Sequence, residues 1–144
     1  MAHHGTKLRA ARGKSLGLRA NSVPEVIESI EDGFPYEFLN HFEDATALSV
    51  EAIAKMVRIP SRTLSRRRME GRLNPDESER LYRMANIFEK AVDLFEGDAK
   101  AAIAWLQRRQ RALGNKPPFE LARTELGARE VEDLIGRLEH GVFT

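Results

Sequence analysis

Between residues 52 and 72 stand seven lysines and arginines against one acid, Glu70, with Arg62, Arg66, Arg67 and Arg68 crowded into a single short stretch. Clustered guanidinium groups neutralise phosphates, and release of condensed counterions gives such a patch affinity for nucleic acid. The plain alternative is a solvated helix face rich in arginine. At about 100° per residue, Arg62, Ser65, Arg66 and Met69 fall on one helix face opposite Leu64, so guanidinium forks and a hydroxyl point the same way. That combination suits the base edges of the major groove. Ser61 is expected to cap the helix, Thr63 lies in its first turn, and Arg67 and Arg68 flank Leu64 where they would reach phosphates. Nothing else in the chain has the makings of chemistry. There is no cysteine. His3, His4, His41 and His140 are too scattered for a metal, which needs three or four convergent ligands. The acids of residues 21–51 lack a companion nucleophile or a glycine-rich phosphate loop. A binding protein is expected, not an enzyme, with no metal and no cofactor.

Presenting the arginine face takes two short helices that cross steeply, and residues 49–70 have the pattern of a helix-turn-helix. Ala54 is small where the helices touch, and Val57, Ile59 and Leu64 can lock the corner. Most such units have a glycine where Arg58 stands. A left-handed residue with a side chain costs roughly 1 kcal/mol, so the turn either carries that strain or is shaped differently, with Pro60 fixing the backbone that follows.

Around this unit the chain reads as helix after helix, without strand alternation or hairpin dipeptides, so the fold class is all-α. Ser22, Pro24 and Glu25 open a helix bearing Val23, Val26, Ile27 and Ile30 that stops at Gly33. Phe34, Phe38, Leu39 and Phe42 mark a second, with Pro35 in its first turn. Asn74, Pro75 and Glu77 start a long helix whose Leu81, Met84, Ala85, Phe88, Ala91, Val92 and Phe95 keep a core-facing rhythm up to Gly97. Asp98 caps the next, bearing Ile103, Trp105 and Leu106 and expected to run to Gly114. After the break at Asn115-Lys116-Pro117-Pro118 come a short turn of helix to Leu121 and a last helix with Val131, Leu134, Ile135 and Leu138, closed by Gly141. Three segments result: a basic, flexible leader at 1–20, a helical domain at 21–97 and a small helical domain at 98–144. Residues 21–51 hold eight acids and no base, which places solvated faces there.

With 144 residues, 42% hydrophobic and 31% charged, the chain has core enough for one ordinary domain or two small ones. Its longest uncharged apolar run, near residues 101–106, is far short of the roughly 20 residues a membrane span needs. The leader lacks the apolar stretch of a secretory signal, so a cytoplasmic location is expected.

Read as a whole, the sequence resembles the antitoxins of the Xre/MbcA/ParS family, above all those paired with RES-domain toxins. The residues that carry the likeness are Leu16-Gly17-Leu18, Gly33-Phe34-Pro35, the helix-turn-helix, Gly71-Arg72-Leu73-Asn74-Pro75-Asp76-Glu77-Ser78, Trp105-Leu106, Ala112-Leu113-Gly114, the loop from Pro117 to Leu121, Thr124 with Gly127, and Glu139-His140-Gly141-Val142-Phe143-Thr144. The resemblance implies a helix-turn-helix DNA-binding domain followed by a small helical toxin-binding domain. It implies a homodimer that binds double-stranded operator DNA to repress its own operon. It also implies a cognate RES-domain toxin that attacks NAD, whose active-site cleft takes the antitoxin's carboxy-terminal end. The toxin-binding residues are then Arg137, Glu139, Gly141, Val142, Phe143 and Thr144, with Phe143 as an aromatic tip. The alternative is a stand-alone helix-turn-helix regulator whose carboxy-terminal domain serves another partner.

Overall fold

The computed structural model describes residues 12–141. Among them are eight α-helices and two 3-10 turns, and the only β pairing consists of two isolated bridges, which is the all-α class expected. The chain divides into two compact units, Met1–Ala85 and Asn86–Thr144. The division falls inside a helix, ahead of the Gly97 break.

In the first unit the helices are α1 (Val23–Asp32), α2 (Glu37–Thr46), α3 (Val50–Met56), α4 (Ser61–Glu70) and the start of α5 (Pro75–Leu94). Within the leader, residues 12–20 have defined local structure. Residues 14–16 form a 3-10 turn, and Leu16, Leu18 and Ala20 are buried. The His41 ring Nδ1–H donates to the Leu16 carbonyl at 2.9 Å. Burial of a leucine is worth about 2 kcal/mol, enough to order a short segment that charge alone would leave solvated. Residues 1–11 lie outside the described residues, and His3 and His4 with them.

Ser22 caps α1 as expected, accepting the Glu25 N–H, while the Glu25 carboxylate accepts the N–H of Asn21 at 2.8 Å. The apolar stripe of α1 is only partly core: Val26 is buried, but Val23 and Ile27 are each 48% exposed. The next helix begins later than the sequence suggests. Phe34 and Pro35 precede α2 in an extended junction, where Pro35 bridges Arg72, Leu73 N–H donates to the Phe34 carbonyl at 2.8 Å and Tyr36 N–H to that of Gly71 at 2.9 Å. The Ser78 hydroxyl, fully buried, accepts the Phe34 N–H and donates to the Asn74 carbonyl, both at 2.7 Å. These backbone bonds override the helical signal of Pro35 because they satisfy buried groups that α2 could not reach. Gly33 (φ 85) is needed at this junction, since a Cβ would strike the Leu73 carbonyl oxygen. The two motifs at 33–35 and 71–78, far apart in sequence, are thus one piece of structure.

The second unit holds the end of α5 with α6 (Ala99–Gln107), α7 (Pro118–Leu121) and α8 (Glu125–Glu139). Ile87, Phe88, Ala91, Leu106, Leu113, Phe119, Val131 and Ile135 form its core. Trp105, also buried, packs against Phe95 with ring centroids 6.2 Å apart. α5 ends at Leu94, so Phe95 lies just past it, and Glu96 and Gly97 both take positive φ. α6 stops at Gln107 and does not run to Gly114, because the Gln110 side-chain amide donates to the carbonyls of Trp105 and Arg108 and closes the helix early. A 3-10 turn at residues 111–113 follows. The Thr124 hydroxyl caps α8 by accepting the Gly127 N–H at 3.0 Å. Asn86 and Lys90 hold the Glu132 carboxylate at 3.1 and 3.6 Å, tying α5 to α8 within this unit.

Candidate functional site

α3 and α4 join through a four-residue turn whose Arg58 takes φ 60. The left-handed conformation is therefore kept without a glycine. The corner is locked as expected, with Ala54, Val57, Ile59 and Leu64 buried; Ile53 is buried as well, and the Ser49 hydroxyl, not singled out from the sequence, caps α3 by accepting the Ala52 N–H at 3.0 Å. Arg80 of α5 completes the turn by donating from Nε to the Val57 carbonyl at 2.6 Å.

α4 offers one buried residue, Leu64, and turns Arg62, Ser65, Arg66, Arg68 and Met69 to the surface. Met69, at 87%, is the most exposed of the large apolar side chains among the described residues. Ser61 is not the cap: Pro60 holds the cap position without a side-chain bond, so Ser61 stands exposed as the first helical residue, with Thr63 half-buried beside it. Arg66 meets Glu70 at 3.9 Å with both side chains half-exposed, a contact worth little in water.

Arg67 departs from its expected place. Its side chain is 13% exposed and lies bidentate on Glu77, Nε to Oε1 at 2.7 Å and Nη2 to Oε2 at 3.0 Å, with Nη1 3.2 Å from Glu70. Glu77 also accepts the Asn74 N–H at 2.9 Å while the Asn74 side chain accepts the Glu77 N–H at 2.8 Å, a complete capping box at the start of α5. Burial pushes the Glu77 carboxyl up, but the bonds from Arg67 and Asn74, with the charges of Arg67 and Arg80, outweigh it and hold the group below the ordinary carboxylate range. The bond to Glu77 holds the Arg67 guanidinium above its own usual value. Because the folded carboxyl is the stronger acid, its contribution to stability is complete above the unfolded glutamate value of about 4.3 and is lost as pH falls through the folded value. Acid unfolding followed by circular dichroism is expected to show a loss in that window that is smaller in a Glu77→Gln variant; identical acid profiles would count against the pairing. The capping box was visible in sequence, whereas the partner ten residues upstream was not.

At the other end, Arg137, Glu139 and Gly141 are all exposed around the last turn of α8. Val142, Phe143 and Thr144 lie outside the described residues. Among the described residues no group of acids and histidines is placed to hold a metal ion.

The fold and its arginine-bearing helix define a class, an all-α protein with a helix-turn-helix followed by a second helical unit. Residues 25–86 match the family model described as the antitoxin Xre-like helix-turn-helix domain, and residues 90–141 that described as the antitoxin Xre/MbcA/ParS C-terminal toxin-binding domain. A protein named antitoxin Xre from Yersinia enterocolitica is 40% identical over 146 residues, covering 99% of both chains. Proteins of the same name from Photorhabdus laumondii and Pseudomonas putida are 33% and 30% identical, covering 91% and 81% of this chain and 89% and 72% of their own. The chain belongs to the Xre antitoxin family, with an amino-terminal helix-turn-helix domain and a carboxy-terminal toxin-binding domain.

Proposed function

We propose that the protein is the antitoxin of a RES-domain toxin that consumes NAD, neutralising it by placing its carboxy-terminal end in the toxin's active site. The observation that carries this reading is the toxin-binding domain match at residues 90–141, which ends where Arg137, Glu139 and Gly141 stand exposed. A helix resting on a cleft rim can send the residues after it inward. Phe143 then buries apolar surface worth up to about 2 kcal/mol. Arg137 meets carboxylates on the rim, and Glu139 meets the cations that an NAD-binding cleft uses for pyrophosphate.

The same protein binds double-stranded operator DNA through α4 and represses its own operon. Arg62, Ser65 and Arg66 read base edges, Arg68 reaches phosphate, and Ser61 and Thr63 approach the backbone at the start of the helix. One short recognition helix reads few base pairs, so the protein acts as a homodimer on half-sites roughly 34 Å apart. It carries out no chemistry of its own and works in the cytoplasm, where its DNA is; no helix among the described residues is long and apolar enough to cross a membrane.

The test is removal of Val142, Phe143 and Thr144. The truncated protein is expected to remain bound to the toxin in gel filtration while NAD consumption, followed by absorbance after enzymatic cycling, resumes. A truncated protein that still inhibits fully would show that the face of the domain suffices and that the tip is a spectator.

A further inference from the structure

Leu64 is the one buried apolar residue within α4. A helix held at one such point can roll about its axis, and a roll of one residue's worth would turn Arg62 and Arg66 away from whatever they face. The second anchor is polar. One turn on from Leu64, the planar guanidinium of Arg67 is clamped at two points by Glu77, at 2.7 and 3.0 Å, with only 13% and 6% of the two side chains exposed. Glu77 in turn is fixed by the reciprocal bonds with Asn74 at the start of α5. A fork seated on a carboxylate sets orientation as well as distance, which a point charge cannot do.

Resting on the reading that α4 binds DNA, we propose that Glu77, acting through Arg67, sets the roll of the recognition helix, so that both are positioning residues for sequence-specific binding and Arg67 makes no phosphate contact. Glu77 lies outside the two-helix motif of residues 49–70 though inside the matched domain, and the contact ties DNA reading to the first turn of α5. Arg67 and a phosphate-binding arginine then differ in two measurable ways. A phosphate contact tolerates lysine and, when lost, lowers the salt slope by about 0.9. A positioning fork does not tolerate lysine and leaves the slope alone.

The experiment uses the full chain and two probes: a duplex enriched from a random-sequence library by the wild-type protein, and a mixed-sequence duplex of the same length. Arg67→Lys and Glu77→Gln are each expected to weaken binding to the enriched duplex about tenfold, with mixed-sequence binding and the salt slope unchanged and far-ultraviolet circular dichroism native. Arg68→Ala, as the phosphate comparison, is expected to weaken both probes alike and lower the slope. The proposal is overturned by an Arg67→Lys variant that binds as wild type, by an Arg67→Ala variant whose slope falls by about one contact, or by Glu77→Gln losing both probes equally. A wild-type protein that enriches no sequence overturns the DNA-binding reading itself, and this inference with it.

Discussion

Replacing Arg62 and Arg66 together by alanine is expected to abolish sequence-specific DNA binding while leaving the fold intact. Both side chains are exposed on α4, and the one ion pair between them and the described residues, Arg66 with Glu70 at 3.9 Å, is half-solvated. Their removal therefore takes little from stability. A bidentate guanidinium contact to a base edge discriminates by about 1–3 kcal/mol, so losing two costs the specific complex about thirtyfold or more. Gel shifts at fixed salt on a duplex enriched by the wild type measure this directly, and equal binding by the double variant would contradict it.

Gly127→Ala is expected to unfold the second unit. Gly127 is buried in the first turn of α8, its N–H bonded to the Thr124 hydroxyl at 3.0 Å, and a Cβ built on it would run into the Leu121 carbonyl oxygen at the end of α7. Backbone cannot give way as a flexible side chain can. The helix-propensity gain of alanine over glycine, about 1 kcal/mol, is set against displacement of the whole α7–α8 corner, and a net loss of roughly 3 kcal/mol or more follows. Gly136→Ala is the control, because a Cβ there meets nothing within 4 Å; it is expected to stabilise by up to about 1 kcal/mol. Thermal unfolding should lower the melting temperature of the first variant and raise that of the second, and an unchanged Gly127→Ala variant would remove the steric account.

The contrast between these two glycines shows what the sequence can and cannot disclose. Caps written as short local patterns, at Ser22, Asn74 and Asp98, appear in the structure as hydrogen bonds between near neighbours. Helix ends set by partners outside the local capping patterns were not legible. Pro35 looks like a first-turn proline, yet its neighbours pair with residues 71–73, and no local rule announces such a partner. α6 looks long because its alanines favour helix; the Gln110 amide closes it instead. In the arginine cluster, spacing alone separated the outward side chains from Leu64. It could not show that Arg67 is engaged by Glu77, because the partner lies on another helix. In the leader the basic residues are conspicuous in sequence, whereas the burial of Leu16 and Leu18 was not legible, because the helix that covers them follows later in the chain.

The proposed neutralisation of an NAD-consuming toxin is measured most directly by titrating the full chain into a purified RES-domain toxin, with NAD followed over time. NAD consumption is expected to fall linearly to zero as the protein is added and to stay there beyond a fixed molar ratio, as tight occlusion of an active site requires. Unaltered consumption at a saturating excess of folded protein would contradict the account.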